Sequence, residues 1–106
     1  MKEKQILVVI KRPGEAAYVE PLFENTLEAF QKEVGGYIES YTVAADLTLI
    51  CNEEGKLRGL PYNLTVCGEH FVGTVIAVGV KSDEFTSITG SCVSLVQRIM
   101  NGGREA

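Results

Sequence analysis

The sequence predicts an α+β fold: a single two-layer domain over residues 1–106, with a mostly antiparallel sheet of about five strands carrying two helices on one face. Three observations carry that reading. The apolar spacing switches between a period of two and a helical period along the chain. Both stretches with helical spacing run into glycine, the residue that closes a helix without Cβ strain. Turn-forming residues punctuate the segments between them. The resulting order is β-β-α-β-β-loop-β-α.

Gln5-Ile6-Leu7-Val8-Val9-Ile10-Lys11 is a continuous, largely β-branched run bounded by charge, the pattern of a central strand buried on both faces. Arg12-Pro13-Gly14-Glu15 suits a turn, with Pro preset for its first inner position and Gly for its second. Ala16 to Pro21 then returns as a second strand, with Pro21 at an edge or strand end because it has no N–H for a ladder. Asn25 is the expected helix N-cap, with Glu28 reaching back to it. Leu27, Phe30 and Val34 fall on one helical stripe, Gly35 stops the helix and Gly36 turns the chain onward.

From Tyr37 the period is two, with Tyr37, Glu39, Tyr41 and Val43 on one face and Ile38, Ser40 and Thr42 on the other. Leu47 to Cys51 is the next strand, with Leu47, Leu49 and Cys51 pointing inward. Asn52-Glu53-Glu54-Gly55 matches a type I turn. Lys56 and Leu57 either begin a short returning strand or extend the loop, and Leu60-Pro61-Tyr62-Asn63 suits a single helical turn. Val72 to Val80 is the last clear strand, in which Gly73 and Gly79 mark a bulge or a close backbone approach. After a polar link, Ser87 or Thr89 caps a final helix with Cys92, Leu95, Val96 and Ile99 on its buried stripe and Gly102 at its end.

Composition narrows the function. The chain has 45% hydrophobic and 23% charged residues, the balance of a globular protein. Its longest apolar run, Ile6 to Ile10, is far short of the roughly 20 residues that span a bilayer, so no membrane association and no secretory signal are expected. Three cysteines, an odd number without paired spacing, point to a reducing cytoplasm. The net charge of −4 and scattered basic residues lack the basic stripe of a nucleic-acid binder, so no nucleic-acid partner is expected.

Motifs for catalysis are sparse. Nucleophilic catalysis needs a nucleophile beside a base, and His70 is the single histidine, three residues after Cys67. That half-site falls short of the four ligands of structural zinc, so it reads as a surface loop, and no metal is assigned. Glu53 and Glu54 read as solvated turn residues, and no catalytic residue is assigned. No phosphate-binding glycine loop is present, and no cofactor is expected. Two candidate surfaces remain. Glu39, Asn52, Glu53, Pro61, Tyr62 and Asn63 are candidate ligand-binding residues, on loops that would converge at one end of the sheet. Tyr37 and Tyr41 share a strand face that suits a protein partner or a second copy.

The segments Val34-Gly35-Gly36-Tyr37-Ile38-Glu39, Cys51-Asn52-Glu53-Glu54-Gly55-Lys56-Leu57, Gly59-Leu60-Pro61-Tyr62-Asn63 and Gly73-Thr74, with weaker similarity out to Phe85-Thr86-Ser87-Ile88, resemble the family called domain of unknown function 3846. The resemblance implies a small cytoplasmic protein of bacterial phages, plasmids or integrated elements, without an established activity. It transfers no catalytic residue. Family members often carry a longer acidic insertion between the Asn63 and Gly73 positions, so Cys67 and His70 are not implied to be a family site. The expected function is a non-enzymatic accessory or protein-interaction module of phage or mobile-element biology. The alternative is a binder of a small, nucleotide-like ligand through the 52–55 and 59–63 loops.

Overall fold

The computed structural model describes residues 3–102. In chain order they form β1 (Gln5–Lys11), β2 (Tyr18–Glu24), α1 (Leu27–Val34), β3 (Ile38–Ala44), β4 (Leu47–Asn52), β5 (Tyr62–Val66), β6 (Glu69–Val72), β7 (Val75–Lys81), β8 (Glu84–Thr86), a 3-10 turn (Gly90–Cys92) and α2 (Val93–Met100). The main sheet runs β2-β1-β7-β4-β3, with every neighbouring pair antiparallel. Short β8 pairs with β7 beyond the stretch that β7 shares with β1, so one side of β7 is bonded in turn by two strands. Strands β5 and β6 form a separate hairpin. The fold is α+β, with the antiparallel sheet and two helices that the sequence predicts.

The helices, however, lie on opposite faces. Side chains alternate across a strand, and Ile6, Val8 and Ile10 of β1 pack with Ile50, Ile76, Val78 and the α1 residues Phe30 and Val34. Val9, Leu49, Val75 and Ala77 face the other way, onto Val96 and Met100 of α2 and onto Leu64, Val66 and Phe71 of the hairpin. The arrangement is therefore three layers instead of two. The cause is visible in β1, β4 and β7, whose residues are buried on both faces. Burial of a large apolar side chain contributes about 1.5–3 kcal/mol, so such strands need cover on both sides.

Local signals explain most element boundaries. Pro21 lies within edge strand β2, where the register with β1 shifts, as a residue lacking an N–H requires. The α1 N-cap is Thr26 instead of Asn25: its Oγ1 accepts the Ala29 N–H at 3.1 Å. Asn25 is drawn inward, donating to the carbonyls of Glu3 and Phe85 at 3.0 and 3.2 Å, and so ties the entry of β1 to β8. Gly35 ends α1 with φ 80° and ψ 28°, the left-handed geometry that glycine adopts freely. Gly79 permits a close backbone approach, since a Cβ there would sit 2.5 Å from the Ser87 carbonyl oxygen.

Two further expectations are corrected. Tyr62 and Asn63 open β5 instead of closing a helical turn, and the hairpin they begin turns at Cys67 (φ 52°) and Gly68 (φ 78°). Positive φ at both central residues matches the right-handed twist of the flanking strands. The last helix begins at Val93 after the 3-10 turn with Cys92 as its N-cap and no side-chain cap, while the Ser87 Oγ expected to cap it instead accepts the Leu7 N–H at 2.8 Å. Its buried positions are Val96 and Met100, while Leu95 and Cys92 face solvent.

Candidate functional site

The two loops expected to converge are hydrogen-bonded neighbours, since the Leu60 N–H donates to the Gly55 carbonyl at 3.0 Å. Their side chains nevertheless serve two separate cavities. Glu39, Asn52 and Glu53 border a small cavity of about 120 Å³ with Cys51, Lys56 and His70. Tyr62 and Asn63 border another, on the far side of β5. The first is well below the roughly 300–1,000 Å³ typical of small-ligand pockets.

Both asparagines are engaged by backbone. Asn52 donates from Nδ2 to the Val34 carbonyl at 3.1 Å and accepts the Glu54 N–H at Oδ1 at 2.8 Å. It thereby satisfies a carbonyl in the last turn of α1 and fixes the turn after β4. Gly36 makes room for it, because a Cβ there would lie 2.9 Å from Asn52 Nδ2. Asn63 donates from Nδ2 to the carbonyls of Lys11 and Gly73, both at 2.7 Å, while its Oδ1 accepts from Lys11 Nζ at 2.8 Å. These bonds fasten the β5–β6 hairpin to the end of β1. Buried polar groups need such partners, and here the partners lie within the chain.

The remaining candidates are at the surface. Glu39, Glu53, Pro61 and Tyr62 are exposed. The Pro61 carbonyl accepts the Gly73 N–H at 2.8 Å. Tyr62 Oη lies 2.7 Å from Thr65 Oγ1, which lies 2.7 Å from His70 Nδ1, a polar chain along the outer face of the hairpin. Cys67 forms the hairpin turn, and among the described residues no group of three or more His, Cys, Asp or Glu side chains is placed to hold a metal ion. The two tyrosines part company. Tyr37 is 68% exposed, whereas Tyr41 packs edge-on against Phe71 with ring centroids 5.4 Å apart.

Electrostatics weigh against thiol chemistry at the small cavity. Burial, together with the nearby Glu39 and Glu69 carboxylates, pushes the Cys51 thiol up to about 11, partly offset by Lys56. The nucleophile is the thiolate, so at neutral pH this sulfur is inert.

Backbone geometry marks a different surface. Among the described residues strand β3 bonds only β4 and forms one edge of the sheet. The Glu53 N–H donates to the Tyr37 carbonyl at 2.8 Å. Antiparallel pairs alternate between bonded and non-bonded, so Tyr37, Glu39 and Tyr41 bond inward to β4 while the N–H and C=O groups of Ile38, Ser40 and Thr42 point outward. A one-residue bulge at Val43 closes the run. Beside it, a mainly apolar cleft of about 480 Å³ runs along α2, bordered by Val43, Leu47, Val80, Leu95 and Ile99. Sequence showed that β3 is half exposed but gave no sign of its place in the sheet.

These features define a small α+β protein whose described residues form a six-stranded antiparallel sheet with β3 at one edge. The chain belongs to the family described as "Domain of unknown function (DUF3846)", whose model matches residues 4–101. No curated protein and no solved structure matches the chain.

Proposed function

We propose that this protein is a non-enzymatic interaction module whose working surface is the β3 edge and whose occupant is β3 of a second copy. The observation that carries the reading is the row of outward backbone groups at Ile38, Ser40 and Thr42. An edge of this kind is a template for another strand unless it is blunted. The opposite edge is blunted: β2 holds Pro21, a register shift, Glu20 and Glu24. Strand β3 holds no proline and one charge, Glu39.

Charge and shape fit self-pairing. A two-fold axis at Ser40 pairs Ser40 with its own copy and Ile38 with Thr42, all through outward groups. Glu39 then faces Tyr41 instead of another Glu39, which avoids the penalty of like charges directly opposite. The same register brings Tyr37 of one copy beside Val43 of the other, at the mouth of the apolar cleft, where an exposed tyrosine ring gains cover. The setting implied by the family resemblance, the cytoplasm of bacteria carrying phages or mobile elements, belongs to the same proposal.

Sedimentation and a proline scan test it. Ser40→Pro removes an outward N–H and leaves the bonds to β4 intact, a substitution an edge strand tolerates. The expected result is a dimer for the parent chain and a folded monomer for Ser40→Pro. With Cys67 and Cys92 changed to serine, Ser40→Cys should form a disulfide-linked dimer on mild oxidation, since opposed Cα atoms of a bonded pair lie about 5.5 Å apart. A parent chain that stays monomeric at every concentration, or a Ser40→Pro variant that still dimerises, overturns the reading.

A further inference from the structure

Lys11, at the end of β1, is 8% exposed, an unusual degree of burial for lysine. Its Nζ donates to Asn63 Oδ1 at 2.8 Å and to the Asn63 carbonyl at 3.4 Å. Both acceptors are neutral, and among the described residues no carboxylate lies in ion-pair contact with it. Burial pulls its pKa below the usual lysine value, against an opposing influence from Glu15. An ammonium has three donors, so one is left over, and buried charges in proteins are ordinarily paired.

The same lysine borders an open cavity of about 590 Å³, together with Glu15, Tyr62, Asn63, Thr65 and Asn101. Asn101 supplies a second, independent observation. Its Oδ1 accepts the Ala17 N–H at 2.9 Å, which fixes the orientation of the carboxamide. The Nδ2 donor, closed off from bulk water, then meets no acceptor among the described residues. An unsatisfied buried donor is rare enough to require an explanation. The surplus ammonium donor of Lys11 and the residue that carries the orphaned amide donor thus border one cavity, with Asn101 Nδ2 itself covered.

We propose that this cavity, between the end of β1, the start of β5 and the turn after α2, receives a small oxyanion, the carboxylate or phosphate group of a small molecule. The oxyanion accepts from Lys11 Nζ, and the proposal includes a rotation of the Asn101 carboxamide that uncovers Nδ2 as the second donor. Charge-assisted bonds of this kind are the stronger class, and a partly desolvated lysine strengthens them further. Among the described residues Glu15 is the one acidic residue at the rim and opposes the anion, so its position sets a limit on affinity. The inference stands apart from the β3 edge and survives or fails independently of it.

An amide NMR titration of the full chain tests the site, using sodium phosphate and sodium acetate at constant ionic strength with sodium chloride as control. Saturable shifts at Lys11, Asn63 and the Asn101 side chain with either anion, absent with chloride, are expected. A response to phosphate alone or to acetate alone identifies which headgroup the site prefers. Lys11→Met, which keeps the apolar stem, should weaken binding at least about tenfold. Asn101→Ala should weaken it several-fold, and Glu15→Gln should tighten it by removing the opposing charge. Should Lys11→Met fail to give a dispersed spectrum, the opposite signs of the Asn101 and Glu15 variants decide the matter. No saturable shift with either anion, an equal response to chloride, or a Glu15→Gln variant that binds more weakly overturns the proposal.

Discussion

Asn52 and Val34 are joined by a hydrogen bond of 3.1 Å from the Asn52 Nδ2 to the Val34 carbonyl, linking the end of β4 to the last turn of α1. Gly36 lies against the same amide, and a Cβ on it would sit 2.9 Å from Asn52 Nδ2. Replacing Asn52 with Ala should therefore cost about 1–3 kcal/mol in urea denaturation, since it strips partners from a helix-end carbonyl and from the Glu54 N–H. Gly36→Ala should cost about 1 kcal/mol or more in the parent chain and much less when Asn52 is already Ala. Additive effects in that double-mutant cycle would mean the two residues act separately.

Alkaline pH should destabilise the fold through Cys51. Its folded-state pKa of about 11 lies above the reference value of 9.0. A raised pKa contributes stability that is fully present below pH 9 and lost as pH rises through 11, because the unfolded chain ionises first. The loss is at most about 3 kcal/mol. Lys11 acts in the opposite direction: its lowered pKa makes stability rise with pH in the window below 10.5. Cys51→Ala should remove the falling limb and unmask the rising one, read as the slope of urea midpoint against pH between 9 and 11. In the native state, a thiol reagent should titrate exposed Cys67 and Cys92 quickly and Cys51 only on unfolding.

The β5–β6 hairpin should depend on Asn63 more than its size suggests. Asn63→Ala abandons two backbone carbonyls and removes the acceptor of a buried ammonium, a combined cost of about 3 kcal/mol or more. Hydrogen exchange should show Leu64, Val66 and Phe71 losing protection by a larger factor than Val9 or Ala77. Equal losses throughout would show that the hairpin does not open on its own.

The two tyrosines of the β3 region should separate in a stability assay. Tyr37→Ser is expected to move the unfolding free energy of the monomer by less than about 0.5 kcal/mol, since its ring is largely in solvent. Tyr41→Ala removes a half-buried ring and its edge contact with Phe71, for a loss of about 2 kcal/mol. Equal effects would contradict the packing.

What sequence could reveal here follows the range of the interactions involved. Strand β1, the glycine stop of α1, the two-fold period of β3 and the tolerance of an edge for Pro21 are local patterns, and each was legible. The layer count was legible too: a run as apolar as Ile6 to Ile10 demands cover on both faces, and placing both helices on one face contradicts it. The hairpin carried a signal in the alternation of Leu64, Val66 and Phe71 about a Cys67-Gly68 turn. Cysteine is an uncommon residue at positive φ, so the turn did not announce itself. The candidate site was least legible, because the asparagines bond backbone 18 and 52 residues away, which no local pattern encodes.

The place of β7 between β1 and β4 carries a consequence for synthesis. As the chain leaves the ribosome, the β1–β2 and β3–β4 hairpins emerge complete, yet the strand that joins them arrives last but one. Until Val75–Lys81 is clear of the exit tunnel, the inner edges of β1 and β4 stand unpaired, and the face that α2 later covers is incomplete. Pairings this distant in sequence close slowly, and unpaired strands aggregate while they wait. A stalled or truncated product ending before Val75 should therefore be insoluble, and expression yield should respond more to translation rate than the stability of the finished protein would suggest.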